Sequence, residues 1–289
     1  MLTSLPFERA NKTGAGIPPV RRAPRSLKQE YQEFILQRLE EYKDRLPRDQ
    51  LLRIGDEAAR ELATSAQGQY LLTEVLLLEH VDEIIFRRLK LPSFRRWTQK
   101  HRALRTAQRE PTHWGLEPRT PLAALARRLE PGDVTLVVGA GALPAALFLA
   151  AYDVEVFLLD PDLHAVEAAE SRAVSEQLGA RFQALVVQFG AWLPDVTIDL
   201  AVLDAAALGA TTSRHRRALV GDLQVRTRSC GVHVMLPPAE TPAVIRLEPE
   251  SLESLYRGWD IERAKKSDRG AFVATRSERR LDTAANVSD

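Results

Sequence analysis

The chain has 289 residues, of which 45% are hydrophobic and 27% charged, with a formal net charge of +1. That length exceeds the usual single domain of about 100–150 residues, and so even a balance demands no polyanionic partner for the chain as a whole. The single cysteine, Cys230, excludes an internal disulfide framework and a cysteine-rich zinc site, and it fits a reducing, cytoplasmic setting.

Residues 1–25 carry glycines and prolines (Gly14, Gly16, Pro18, Pro19, Pro24) beside Arg21, Arg22 and Arg25, with no periodic apolar face. They read as a flexible arm that orders only against a partner, and they lack the apolar core of a signal peptide. A helical domain follows over 26–110. Ser26 and Gln29 form a capping box ahead of Tyr31, Phe34, Ile35, Leu36 and Leu39. A second helix, 47–63, is expected to bury Leu51, Leu52, Ile54, Ala58 and Leu62. The third, 69–89, is the most apolar, but Glu74, Glu79, Asp82 and Glu83 interrupt it and assign it to a bundle. Ser93 to Gln108 reads as a fourth helix. A linker with a short helix capped by Thr120 occupies 111–132.

Beyond 133 the pattern alternates. Strands fit 134–139, 154–159, 183–187, 199–204 and 230–236, and helices fit 144–152, 162–178 and 213–227. Residues 260–265 and 271–276 form a hairpin joined by Ser267-Asp-Arg-Gly270. The expected fold is α/β: an open, mostly parallel, doubly wound sheet over 133–278, closed by an antiparallel hairpin. A flexible tail, 279–289, ends the chain. The 19 residues 134–152 approach the roughly 20 that span a bilayer. Gly139, Gly141 and Pro144 make them strand, turn and helix instead, so no integral membrane segment is expected.

The glycine turn Gly139-Ala140-Gly141-Ala142-Leu143-Pro144 lies between the first strand and its helix, and Asp160 ends the next strand. Glycines let backbone approach a bound group, and an acid at that place accepts from both ribose hydroxyls. Pro144 stands where nicotinamide and flavin enzymes use a small residue. With Asp199-Leu-Ala-Val-Leu-Asp204 as the fourth strand and the closing hairpin, residues 133–278 resemble the class I S-adenosylmethionine-dependent methyltransferases. The turn Val138-Gly139-Ala140-Gly141-Ala142-Leu143-Pro144 is similar to that of nicotianamine synthase-like members.

The resemblance implies S-adenosylmethionine as cofactor. Gly139, Ala140 and Gly141 would line its methionine moiety and Asp160 its ribose, with Gln188 and Phe189 beside the adenine. Asp204 would face the mouth of the active site as the candidate catalytic base. Two positions depart from the family pattern: Val137 stands where an acid is usual, and Gln188 to Ala191 lack the acid often found near the adenine amine.

The fold therefore also admits a non-catalytic subunit docked on a larger, membrane-associated assembly, with the arm and the basic helices as its attachment. The span 86–128 holds twelve Lys/Arg against Glu110 and Glu117, with Phe94, Trp97 and Trp114 interleaved. It suits an acidic protein partner or a membrane surface, nucleic acid less well. Its bland alternative is a solvated face neutralising the third helix. Asp162 reads as a helix N-cap, and Trp114 as a packing residue ahead of the sheet. The six histidines show no ligand spacing, so no metal site is expected.

Overall fold

A computed structural model describes residues 26–64, 74–236, 253–263 and 272–277. The arm 1–25, the start of the third helix, the hairpin turn 267–270 and the tail 279–289 lie outside the described residues. The chain divides into two compact units, one spanning Pro24–Gln108 and the other continuing from Arg109.

The first unit is four helices: α1 (Leu27–Arg45), α2 (Arg48–Thr64), α3 (Glu74–Leu89) and α4 (Phe94–Gln108). The capping box forms as the sequence implies. Gln29 N donates to Ser26 Oγ at 3.3 Å and Ser26 N donates to Gln29 Oε1 at 2.9 Å. Leu39, Ile54, Ala58, Val81, Ile84 and Ile85 are its buried core. Leu36, Leu52, Val75, Leu76 and Leu78, which the periodicity assigned to apolar faces, are exposed. Successive helical residues point about 100° apart, and three or four adjacent leucines cannot all share the narrow stripe a small bundle covers.

A second cluster joins α1 to α4. Tyr31 packs on Phe94 and Trp97, Trp97 stacks on His101 at 4.5 Å between ring centres, and His101 Nε2 pairs with Glu30 Oε2 at 3.0 Å. Tyr31 donates its hydroxyl to Pro92 O at 2.9 Å, which fastens the turn before α4.

The second unit is built on a seven-stranded sheet. Its elements in chain order are α5 (Pro121–Ala126), β1 (Val134–Val138), α6 (Leu143–Ala150), β2 (Glu155–Asp160), α7 (Leu163–Ser175), β3 (Phe182–Val186) and β4 (Ile198–Asp204). Then follow α8 (Ala205–Ala210), α9 (Ser213–Arg226), β5 (Thr227–Leu236), β6 (Asp260–Arg263) and β7 (Phe272–Thr275). The strand order is 3-2-1-4-5-7-6, with β1 to β5 parallel and β7 antiparallel to both β5 and β6. The sheet is thus mostly parallel with antiparallel C-terminal strands, and the helical region precedes it.

Each sheet face is covered. Val137, Leu158, Leu200 and Val202 meet α5, α6 and α7 on one side, while Leu136, Val138, Leu159 and Leu203 meet α8 and α9 on the other. Helix α6 is apolar all round because it is buried all round: every residue from Ala145 to Ala150 is enclosed. Its length is eight residues, and no helix among the described residues is long and apolar enough to cross a membrane.

Ion pairs and polar locks fix the strand ends. Asp199, 9% exposed, accepts from Val134 N at 2.6 Å and pairs with Arg228, so one carboxylate ties β1, β4 and β5 together. Arg181, 8% exposed, pairs with Glu155 across β2 and the start of β3. Helix α8 is an element that periodicity did not foresee. Its six residues, Ala-Ala-Ala-Leu-Gly-Ala, are too few to show a period.

Candidate functional site

In an open parallel sheet the ligand crevice lies outside the C-terminal strand ends, where the connections diverge to opposite faces. Here that point is between β1 and β4. From β1 the chain crosses to β2 through α6, and from β4 it crosses to β5 through α9, so the turn after β1 and the turn after β4 face the same opening.

Gly139 sits in the left-handed region at φ 95° and donates its N–H to Leu159 O at 2.8 Å. A Cβ there would fall 2.6 Å from the Ala207 Cβ and 2.9 Å from the Asp204 Cβ. At Gly141 a Cβ would collide with the carboxylate of Asp204. Both glycines are therefore required by close approach, and at Gly139 by backbone conformation as well.

Asp160 is partly exposed and held from two sides. Ala140 N donates to its Oδ2 at 2.7 Å and Asp162 N to its Oδ1 at 2.9 Å. Each oxygen accepts one of these bonds and keeps a further acceptor position. Asp162 is an N-cap, accepting from His164 N at 2.9 Å. Asp204 caps α8, its Oδ1 accepting from Ala206 N at 2.9 Å, and its Oδ2 lies over the glycine turn. Burial raises the pKa of Asp204; the N–H groups of Ala206 and Ala207 pull it back, and the charge of Asp160 adds to the rise.

The structure thus brings Gly139, Ala140, Gly141, Asp160 and Asp204 to one opening. It treats Gln188 and Phe189 differently from one another. Gln188 is exposed, whereas the Phe189 ring is 8% exposed and belongs to the cluster with Val138 and Leu159. Val137 is fully buried against the α6 face, so an acid at that position would have no solvent.

Tested against this geometry, an adenosine-bearing cofactor fits. Beside the glycine turn, Asp160 retains acceptor capacity for two hydroxyls.

Sequence reasoning missed two further polar features. Asp199 is a brace, although it stands in plain view in the fourth-strand motif. His233 and Thr227 of β5 form a buried chain with Tyr256. The Thr227 hydroxyl donates to Leu223 O at 2.6 Å and lies 2.8 Å from His233 Nε2, and Tyr256 OH lies 2.9 Å from His233 Nδ1. Because Thr227 spends its proton on Leu223, His233 donates from Nε2 and accepts from Tyr256 at Nδ1. Burial, and then Arg276, push its pKa down to about 3. Periodicity could not show this, since the partners are 6 and 23 residues away. Among the described residues no group of three or more His, Cys, Asp and Glu could hold a metal ion.

The order 3-2-1-4-5-7-6 with a reversed seventh strand decides the architecture. It is an open, doubly wound, Rossmann-like α/β sheet closed by antiparallel C-terminal strands. Solved structures similar to the chain include the N-methyltransferase NodS from Bradyrhizobium japonicum WM9, at 14% identity and TM-score 0.44, covering 54% of this chain and 93% of that one. The glycopeptide N-methyltransferase MtfA, complexed with S-adenosyl-L-homocysteine, matches at 14% identity and TM-score 0.44 over 54% of this chain and 86% of its own. A TehB-like SAM-dependent methyltransferase from Corynebacterium glutamicum ATCC 13032 matches at 18% and 0.44 over 63% of this chain and 96% of its own. No protein-family model and no curated protein matches the sequence.

Proposed function

We propose that the chain is an S-adenosylmethionine-dependent methyltransferase whose cofactor lies across the turn Gly139–Gly141. The observation that carries this reading is the pairing of a glycine turn with Asp160, a carboxylate held by Ala140 N and Asp162 N with acceptor positions to spare. Bound there, the sulfonium would supply an already activated methyl group, so the protein's task reduces to alignment and proton removal. Asp160 would take the two ribose hydroxyls. The backbone of Gly139 to Gly141 would support the methionine moiety, and Gln188, exposed after β3, would border the adenine. Asp204 would accept the proton of the acceptor substrate at Oδ2, a role favoured by the raised proton affinity its burial produces.

A second reading has its own observation. The space freed by the two glycines is taken by the chain's own Asp204 and Ala207, as it would be if the turn were a packing device in a non-catalytic subunit.

Calorimetric titration of the full chain with S-adenosylmethionine, S-adenosylhomocysteine and NADH separates the two. Micromolar binding of the first two, lost in Asp160→Ala but retained in Asp204→Asn, supports the enzyme. Absence of binding by the folded wild type sinks it and leaves the docking subunit.

A further inference from the structure

Helix α4 presents a fixed cationic face that the cofactor reading does not use. Its sequence, FRRWTQKHRALRTAQ, contains no acid. Trp97, His101 and Gln108 are buried beneath it, and the stacking of Trp97 on His101 with the Tyr31 bond to Pro92 holds its rotation about its own axis. The outward arc is therefore set: Arg95, Arg96, Gln99, Lys100, Arg102, Ala103 and Thr106 are exposed.

Among the described residues none of Arg95, Arg96, Lys100 and Arg102 has an acidic partner. By contrast, Arg87 and Arg88 of α3 are consumed by Glu61 and Glu57 of α2. At about 1.5 Å per residue, Arg95 and Arg102 lie roughly 10 Å apart along one edge of the arc, and Arg96 and Lys100 about 6 Å apart along the other. The strip between the two rows is Gln99, Ala103 and Thr106, small or neutral.

We propose that this face binds the phosphate backbone of a nucleic-acid duplex. Two rows of cations flanking a neutral ridge match phosphates on either side of a groove. Three observations weigh against the other polyanions. Membrane association by a helix needs a continuous apolar side turned outward, and the large apolar residue that α4 exposes is Phe94, at its first position and off the cationic arc. Recognition of unpaired bases needs aromatic rings free to stack; Trp97 is 4% exposed, and Phe94, 44% exposed, lies against Tyr31 and Trp97. An acidic protein would ordinarily meet apolar anchors at the centre of its contact, where α4 offers Gln99 and Ala103.

The test uses the full chain without cofactor, so its outcome does not depend on the methyltransferase reading. Fluorescence anisotropy is read with labelled 20-base-pair RNA and DNA duplexes from 50 to 200 mM salt, alongside phosphatidylserine vesicles and polyglutamate. Binding should fall with salt at a slope of about −3 to −4 in log K against log salt, as four phosphate contacts require. A quadruple variant carrying Gln at 95, 96, 100 and 102 should lose at least tenfold in affinity and most of that slope, with an unchanged circular dichroism spectrum. Each single Arg→Gln change should lower the slope by about 0.9. The ratio of RNA to DNA affinity tells which duplex is the partner. The proposal is overturned if neither duplex binds at 50 mM salt, if the quadruple variant binds as the wild type does, or if only vesicles or polyglutamate bind.

Discussion

Gly141 and Asp204 are a single steric unit, since the carboxylate occupies the volume a side chain at 141 would need. Gly141→Ala should cost about 1–3 kcal/mol, the usual cost of overpacking, and abolish the S-adenosylmethionine binding proposed above. Adding Asp204→Ala should recover part of that stability, a non-additivity that urea unfolding of the four variants would register.

Asp204 also has a pH signature. Its proton affinity is higher folded than unfolded, so its contribution is present in acid and lost as pH rises through the folded pKa. Asp204→Asn keeps the cap and removes the charge. It should raise the melting temperature at pH 7.5 and leave it unchanged near pH 3.

His233 has the opposite sign. It is neutral when folded, with a pKa near 3 against the ordinary 6.5, so the unfolded chain binds the extra proton between those values. Stability should therefore fall as pH drops from about 6.5 towards 3, by up to about 1.4 kcal/mol per unit. A His233→Phe variant, less stable overall because Thr227 and Tyr256 lose their partner, should show a flatter slope across that window.

Among the elements, those announced by local chemistry are the ones the sequence displays openly. Ser26 with Gln29, Thr120 before Pro121 and Asp162 before α7 each mark a helix start within a few residues, and each cap is made. Asp162→Ala should cost about 1 kcal/mol, measured by thermal unfolding at pH 7.

What stayed hidden was set by contacts distant in sequence. The exposure of Leu52 and Leu78 depends on which stripe of each helix the bundle covers. The burial of Phe189 depends on the cluster beneath it, and the bracing role of Asp199 on an amide 65 residues away. The site shows the same division. Gly139, Gly141 and Asp160 can be read from one strand–turn–helix–strand segment. The placing of Asp204 over Gly141 required the register of β4 beside β1.

At the scale of the molecule, each compact unit has a core of its own, and each carries tryptophan: Trp97 in the helical unit, and Trp114, Trp192 and Trp259 in the sheet unit. Ile54 is fully buried among Leu39, Ala58 and Ile84. Ile54→Ala should lower the stability of the helical unit by about 2–5 kcal/mol. In a tryptophan-fluorescence melt, the Trp97 component should shift to lower temperature while the Trp114, Trp192 and Trp259 components hold.

Strand β7 lies between β5 and β6 although it follows both in the chain, and among the described residues β6 pairs with no other strand. During synthesis on the ribosome, the outer edge of β5 therefore waits for about 35 further residues before its neighbour exists. At about 5–20 residues per second, a Val-His-Val-Met edge stands open for several seconds in every nascent copy, the interval in which a chaperone would matter most. A message truncated ahead of Phe272 would release a polypeptide that keeps that edge for good, and its fate should be inclusion bodies.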